Sequence, residues 1–260
     1  MSDETDAHLA EMRTALANAA KLEDLAERTL EVVAIVDEVA SPLGIRPVVV
    51  GGMAVYFWTE NDAFVTYDID VVMAVTDRLR ATLADLGFEM SRDRRHWRLA
   101  GSEVFLEAPS ADLDTDAVIT EVTLPSGRTA RLLSHIDVIL DRLAEFQATG
   151  HQIVSQQILV LLDHLTPRRR DRRRPRAARE RRAARDRPRR AARRIHSEAA
   201  MKTQPIAFEQ WRRETPARRA KSAQVVARIG PIRRDKPRDR TEAEFLRSIG
   251  TPERLVGPTR

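Results

Sequence analysis

VVVGGMAVYFWTENDAFVTYDIDVVMAV, residues 48–75, places two carboxylates inside the most apolar part of the chain. The run RPVVV (46–50) is β-branched and stops at Gly51 and Gly52, as a buried strand does. MAVYFW then reads as a short helix and DIDVVMAV as a second strand. Side chains at i and i+2 of a strand share a face, so Asp68 and Asp70 point the same way while Ile69 and Val71 face the opposite layer. Two like charges that close repel unless something positive lies between them. Mg2+ suits that place, because it takes carboxylate oxygens together with substrate phosphates. A third carboxylate on a neighbouring strand would complete a two-metal site for phosphoryl displacement. Glu107, which closes the apolar strand VFLEAP, is the candidate, with Glu103 and Asp112 as near competitors. Glycines between a strand and a helix start let the backbone approach phosphate oxygens, and the helix N-terminus offers N–H donors.

Before this stretch, residues 7–40 have apolar side chains near helical spacing and read as helix, ended by Pro42 and Gly44. TDRLRATLADLG (76–87) has a threonine cap, Leu79, Leu83 and Leu86 on one face, and a glycine stop. HWRLAG, EVFLEAP, AVITEVTLP and RTARLL read as short strands, the last two joined as a hairpin at Ser126-Gly127. SHIDVILDRLAEFQ (134–147), capped by Ser134, and QIVSQQILVLLDHL (152–165) read as amphipathic helices. The order predicts an α/β domain with a mixed sheet flanked by helices.

VVVGGMAVYF, TYDIDVVM and VFLEAP together resemble the Gly-Gly, Asp-x-Asp and third-carboxylate motifs of the DNA polymerase beta-like nucleotidyltransferase superfamily. GRTARLLSHIDVILDRLAEFQ is similar to the segment after the catalytic core in small bacterial members related to AbiEii-type toxin nucleotidyltransferases. The resemblance covers roughly residues 20–165. It implies a nucleotidyltransferase-type fold and Mg2+-dependent transfer of a nucleoside monophosphate from an NTP to a hydroxyl of RNA (tRNA among them) or protein, within a toxin–antitoxin pair that includes a small antitoxin partner. On it, Asp68, Asp70 and Glu107 bind metal and carry catalysis, while Gly51, Gly52 and Thr66 bind the nucleotide; Arg95 is a further nucleotide-binding candidate, on charge and not on the resemblance. Phe64 stands where many relatives have an arginine. Residues 1–166 hold one lysine, Lys21, so arginines of the cluster Arg92, Arg94, Arg95 and Arg98 are left to meet the triphosphate. DIDVV also fits the nucleophile motif of haloacid dehalogenase-type phosphatases, which place an unbroken apolar strand directly before it; here NDAFVTY precedes it. The six histidines show no metal-ligand spacing; His96 reads as a surface residue, with a place facing the cleft as the alternative, and Asp141-Arg142 reads as a helix-capping or inter-helix ion pair rather than a catalytic one.

Charge divides the chain. Residues 1–166 carry 13 Lys and Arg against 28 Asp and Glu, whereas residues 167–260 carry 31 against 11. Absence of cysteine excludes a disulfide framework, a thiolate zinc site and a cysteine nucleophile. The acidic N-terminus lacks a signal pattern and no apolar run reaches the ~20 residues of a membrane span, which predicts a soluble cytoplasmic protein. PRRRDRRRPRAARERRAARDRPRRAARR (167–194) has no apolar residue larger than alanine and predicts a disordered basic linker. Such a run neutralises nucleic-acid phosphates, and it is also what a GC-rich gene yields out of frame, with Met201 resembling a translation start. The expected organisation is a helical extension (1–19), the nucleotidyltransferase-like domain (20–166), the linker (167–200) and a short basic C-terminal module (201–260), mostly helical or disordered. Two further readings stay open: a catalytically silent interaction protein on the same fold, and nucleic-acid binding through the tail.

Overall fold

A computed structural model describes residues 2–165 and 205–229. The linker reading for 167–200, and the ends of the C-terminal module, lie outside the described residues.

The predicted N-terminal helix is two helices, α1 (Ser2–Ala19) and α2 (Leu25–Ala40). Asp24 makes the break: its carboxylate accepts from the Glu27 N–H and starts α2 as a side-chain cap. Met12 and Leu16 of α1 are buried in the same core as Leu30, Val33 and Val36 of α2.

Next come β1 (Val48–Val49), α3 (Gly51–Thr59) and β2 (Asp68–Val72). α4 (Asp77–Asp85) starts at Thr76, whose hydroxyl accepts from the Leu79 N–H. β3 (Phe88–Met90), β4 (His96–Leu99), β5 (Phe105–Glu107), β6 (Ile119–Thr123) and β7 (Thr129–Leu133) follow. α5 (His135–Thr149) is capped by Ser134 and ends at left-handed Gly150, and α6 is Gln152–Leu165.

The strands form a mixed eight-stranded sheet in the order β3-β4-β5-β2-β1-β7-β6-β8, where β8 is Ile206–Ala207. β2 runs antiparallel to β1 and parallel to β5, so the strand bearing the two aspartates lies inside the sheet. Its burial alternates as the sequence predicts, with Ile69 and Val71 buried and Asp68 and Asp70 on the other face. α3 packs on β2 and against α5 and α6, fixing the helix start beside β2. Among the described residues no helix is long and apolar enough to cross a membrane.

Residues 205–229 are part of this body. β8 adds parallel to β6, pairing Ile206 with Val122 and Ala207 with Thr123. α7 (Phe208–Arg213) and α8 (Thr215–Ile229) then cover α3 and α6. Trp211 lies flat on Phe57 with ring centroids 4.2 Å apart, and the Arg218 guanidinium sits 4.4 Å over the other ring system of this stack, that of Trp211. The Ser222 hydroxyl donates to the Thr59 carbonyl at 2.6 Å, and Arg219 donates to the buried Glu60 carboxylate at 3.3 Å. Trp211→Ala would leave a large cavity between α3 and α7, so it should destabilise the protein by about 3 kcal/mol or more, measured by urea unfolding.

Stability depends on pH through two half-buried histidines, His135 and His164. Burial and the neighbouring His164 push His135 down to about 4, and burial and Lys221 push His164 down to about 4. His164 Nε2 lies 3.0 Å from the Ser222 hydroxyl, and His135 stacks on Trp58. Folded-state values below the unfolded value of about 6.5 mean that the unfolded chain binds more protons between them. The stability from these neutral rings is full above about pH 6.5 and is lost as pH falls towards 4. The urea midpoint followed by tryptophan fluorescence should drop from pH 7 to pH 5, and a His164→Gln variant should lose part of that drop.

Candidate metal centre

The site forms where β2, β5 and the start of α3 meet. β2 and β5 are parallel and in register, with Asp70 opposite Glu107 and Asp68 opposite Phe105. Asp68, Asp70 and Glu107 each offer a carboxylate oxygen, and the three oxygens lie within 4.8 Å of one another. Glu107, rather than Glu103 or Asp112, stands with the two aspartates: Glu103 lines a small separate cavity beside Thr66, and Asp112 lies along the cleft described below.

Electrostatics mark this cluster as a place for positive charge. Burial, then the charges of Asp68 and Glu107, push the Asp70 carboxyl up to about 8. Burial also raises Asp68, and Glu107 adds to it. Three oxygen donors of this kind match a hard divalent cation such as Mg2+ and offer nothing to a soft one. The residues present therefore fit the metal that the motif implies.

Gly51 and Gly52 open α3, which has no side-chain cap. The Gly52 N–H donates to Asp70 Oδ2 at 3.3 Å. Gly51 has φ +61°, and a Cβ built on it would lie 2.0 Å from Asp70 Oδ2. A Cβ on Gly52 would lie 2.5 Å from the Thr66 methyl. The glycine pair is thus required by the close approach of the aspartate strand to the helix start. Thr66 sits behind this contact, its hydroxyl donating to the Asp68 carbonyl at 3.1 Å.

The arginine cluster separates. Arg95 donates to Glu107 Oε1 at 3.2 Å, Arg94 lies 3.7 Å from Asp77, and Arg98 lies over the Phe105 ring. Arg95 thus reaches the carboxylate cluster.

Two residues with roles here differ from their sequence reading. His96 is half-buried in the site: Nε2 is 3.1 Å from Glu107 Oε2, and Nδ1 is 2.5 Å from Asp93 Oδ2. Cross-strand pairing of His96 with Glu107 brings this about, and no spacing along the chain signals it. Arg142 pairs with Asp141 at 2.6 Å and with Glu145 at 2.5 Å, both on its own helix, so the pair is within α5 and not between helices. It lies close enough to Asp70 to favour that carboxylate's charged form.

A cleft of about 690 Å³ opens from Gly51 and Asp70 along α5. Asp112, Asp114 and Asp116 line it, and among the described residues Arg142 is the one Lys or Arg in its lining.

No family model matches this chain, and no curated protein matches it. Among solved structures the chain is similar to an antigenic nucleotidyltransferase-like protein from Paracoccidioides brasiliensis, at 21% sequence identity, over 50% of this chain and 72% of that one, with a TM-score of 0.39.

Proposed function

We propose that the protein is a metal-dependent nucleotidyltransferase that moves a nucleoside monophosphate from an NTP to a hydroxyl acceptor. The observation that carries this reading is the convergence of Asp68, Asp70 and Glu107 within 4.8 Å beside the Gly51-Gly52 helix start. Asp68 and Asp70 hold the divalent cation, with Glu107 as the third ligand. Bound there, such a cation would neutralise charge on the transferring phosphate and acidify the acceptor hydroxyl. Gly51 and Gly52 let the triphosphate approach the α3 backbone, whose N–H groups orient it. Glu107, at the edge of the cluster, accepts the proton of the attacking hydroxyl, and Arg95 and Thr66 complete the nucleotide side. The new bond joins the acceptor oxygen to the α-phosphorus, and pyrophosphate leaves. RNA, including tRNA, and protein hydroxyls are the acceptors proposed, with a toxin–antitoxin pair as the setting.

The test is incubation of the full chain with Mg2+, each α-labelled NTP in turn, and total tRNA or a cell protein extract. Label should move to one acceptor class from one preferred NTP and require the metal. Absence of transfer from all four NTPs to either acceptor, with NTP and Mg2+ both bound, would favour the silent interaction protein instead.

A further inference from the structure

We propose that His96, braced by Asp93, is a positioning residue that holds the Glu107 carboxylate towards Asp68 and Asp70. The inference rests on the metal-site reading above and concerns residues that reading does not use.

Glu107 ends a short strand, and an unrestrained glutamate side chain there would spend its rotamer freedom in solvent. Its two oxygens are instead divided between partners, Oε1 to Arg95 and Oε2 to His96. Arg95 is a long, half-exposed side chain, whereas the His96 side chain is only 19% exposed, so the imidazole is the stiffer of the two restraints. It sits directly across the β4–β5 ladder from Glu107, where neighbouring side chains are held at contact distance.

The imidazole is in turn held by a turn built around one carboxylate. Asp93 Oδ1 accepts from the Arg95 N–H at 3.0 Å, from the His96 N–H at 3.3 Å and from the Ser91 hydroxyl, which leaves Oδ2 for the His96 ring. Despite partial burial, those hydrogen bonds hold Asp93 down at about 2. Arg94, between Asp93 and Arg95, has φ +63°, a left-handed conformation that is unfavourable for a residue with a Cβ. The turn keeps that strain while presenting Asp93 to the imidazole. A carboxylate orienting a histidine that orients a metal-binding carboxylate is an outer-shell arrangement that fixes donor geometry before the cation arrives.

The test reads metal affinity rather than turnover. Mn2+ binding to the full chain is measured by calorimetry and electron paramagnetic resonance for the unchanged protein, His96→Ala and His96→Gln, with unfolding midpoints recorded without metal. His96→Ala should weaken Mn2+ about 10- to 100-fold. His96→Gln, whose amide N–H still reaches Glu107, should recover most of that loss. A purely structural role predicts a changed midpoint with no difference in Mn2+ affinity between the two variants. Equal affinity in His96→Ala and the unchanged protein, or equal loss in both variants, would overturn the positioning role. No Mn2+ bound by the unchanged protein would overturn the metal reading itself, a separate result.

Discussion

Asp70→Asn is expected to abolish NTP-dependent transfer, by about a thousandfold or more, while the protein stays folded. Removing one of the cation's central ligands removes charge stabilisation of several kcal/mol, and each 1.36 kcal/mol is a factor of ten in rate. Asparagine keeps the side-chain shape and an oxygen for the Gly52 N–H, so the local backbone has no reason to move. The same substitution has an opposite effect on stability. Because burial and its neighbours raise Asp70 to about 8 in the folded state, the folded protein binds a proton more tightly than the unfolded chain does. The contribution of Asp70 is therefore most favourable below about pH 4 and is lost as pH rises towards 8. In EDTA, Asp70→Asn should flatten this decline and raise the melting temperature at pH 8. In Mg2+ the unchanged protein should gain stability and the variant should not. Calorimetric melting at pH 5 and pH 8, with and without Mg2+, checks all four points.

The second large effect belongs to a residue with no chemistry of its own. Gly51→Ala puts a methyl group where Asp70 Oδ2 now lies, 2.0 Å from the carbon, at φ +61°. Left-handed backbone costs alanine about 1–2 kcal/mol, and the clash forces Asp70 out of the cluster. Metal affinity should fall at least about tenfold and transfer should fall as far as in Asp70→Asn. Gly52→Ala is the internal comparison. Its clash is with the Thr66 methyl, a side chain that can turn, and its φ is not left-handed, so the loss of metal binding should be smaller. Calorimetric titration of Mn2+ into the three proteins separates the cases, and equal affinities would remove Asp70 from the metal site.

Why the sequence predicts some of this and not the rest follows from which interactions are local. Two-residue alternation in DIDVV puts Asp68 and Asp70 on one face, and that is where β2 carries them. Thr76 and Ser134 are capping residues by type and cap α4 and α5 in the structure. Residues 7–40 read as one helix because the apolar spacing continues through Leu22 and Leu25, while the Asp24 cap that interrupts it is a single side-chain contact. β3, three residues long, is too short for alternation to register. His96 reads as a surface residue because its partners, Glu107 and Asp93, come together only through a cross-strand pair and a tight turn. Packing of residues 205–229 depends on Trp211 meeting Phe57 and on Ser222 meeting Thr59, contacts between residues more than 150 positions apart. No pattern within either segment announces them.

The proposed activity requires a divalent cation and a nucleotide to bind together at the start of α3. A crystal of the full chain soaked with Mn2+ and a non-hydrolysable NTP, with diffraction collected at the manganese absorption edge, answers this directly. The expected result is an anomalous peak in contact with Asp68, Asp70 and Glu107, with triphosphate density against the start of α3 at Gly51 and Gly52. A nucleotide bound elsewhere, or manganese absent from the three carboxylates, would contradict it.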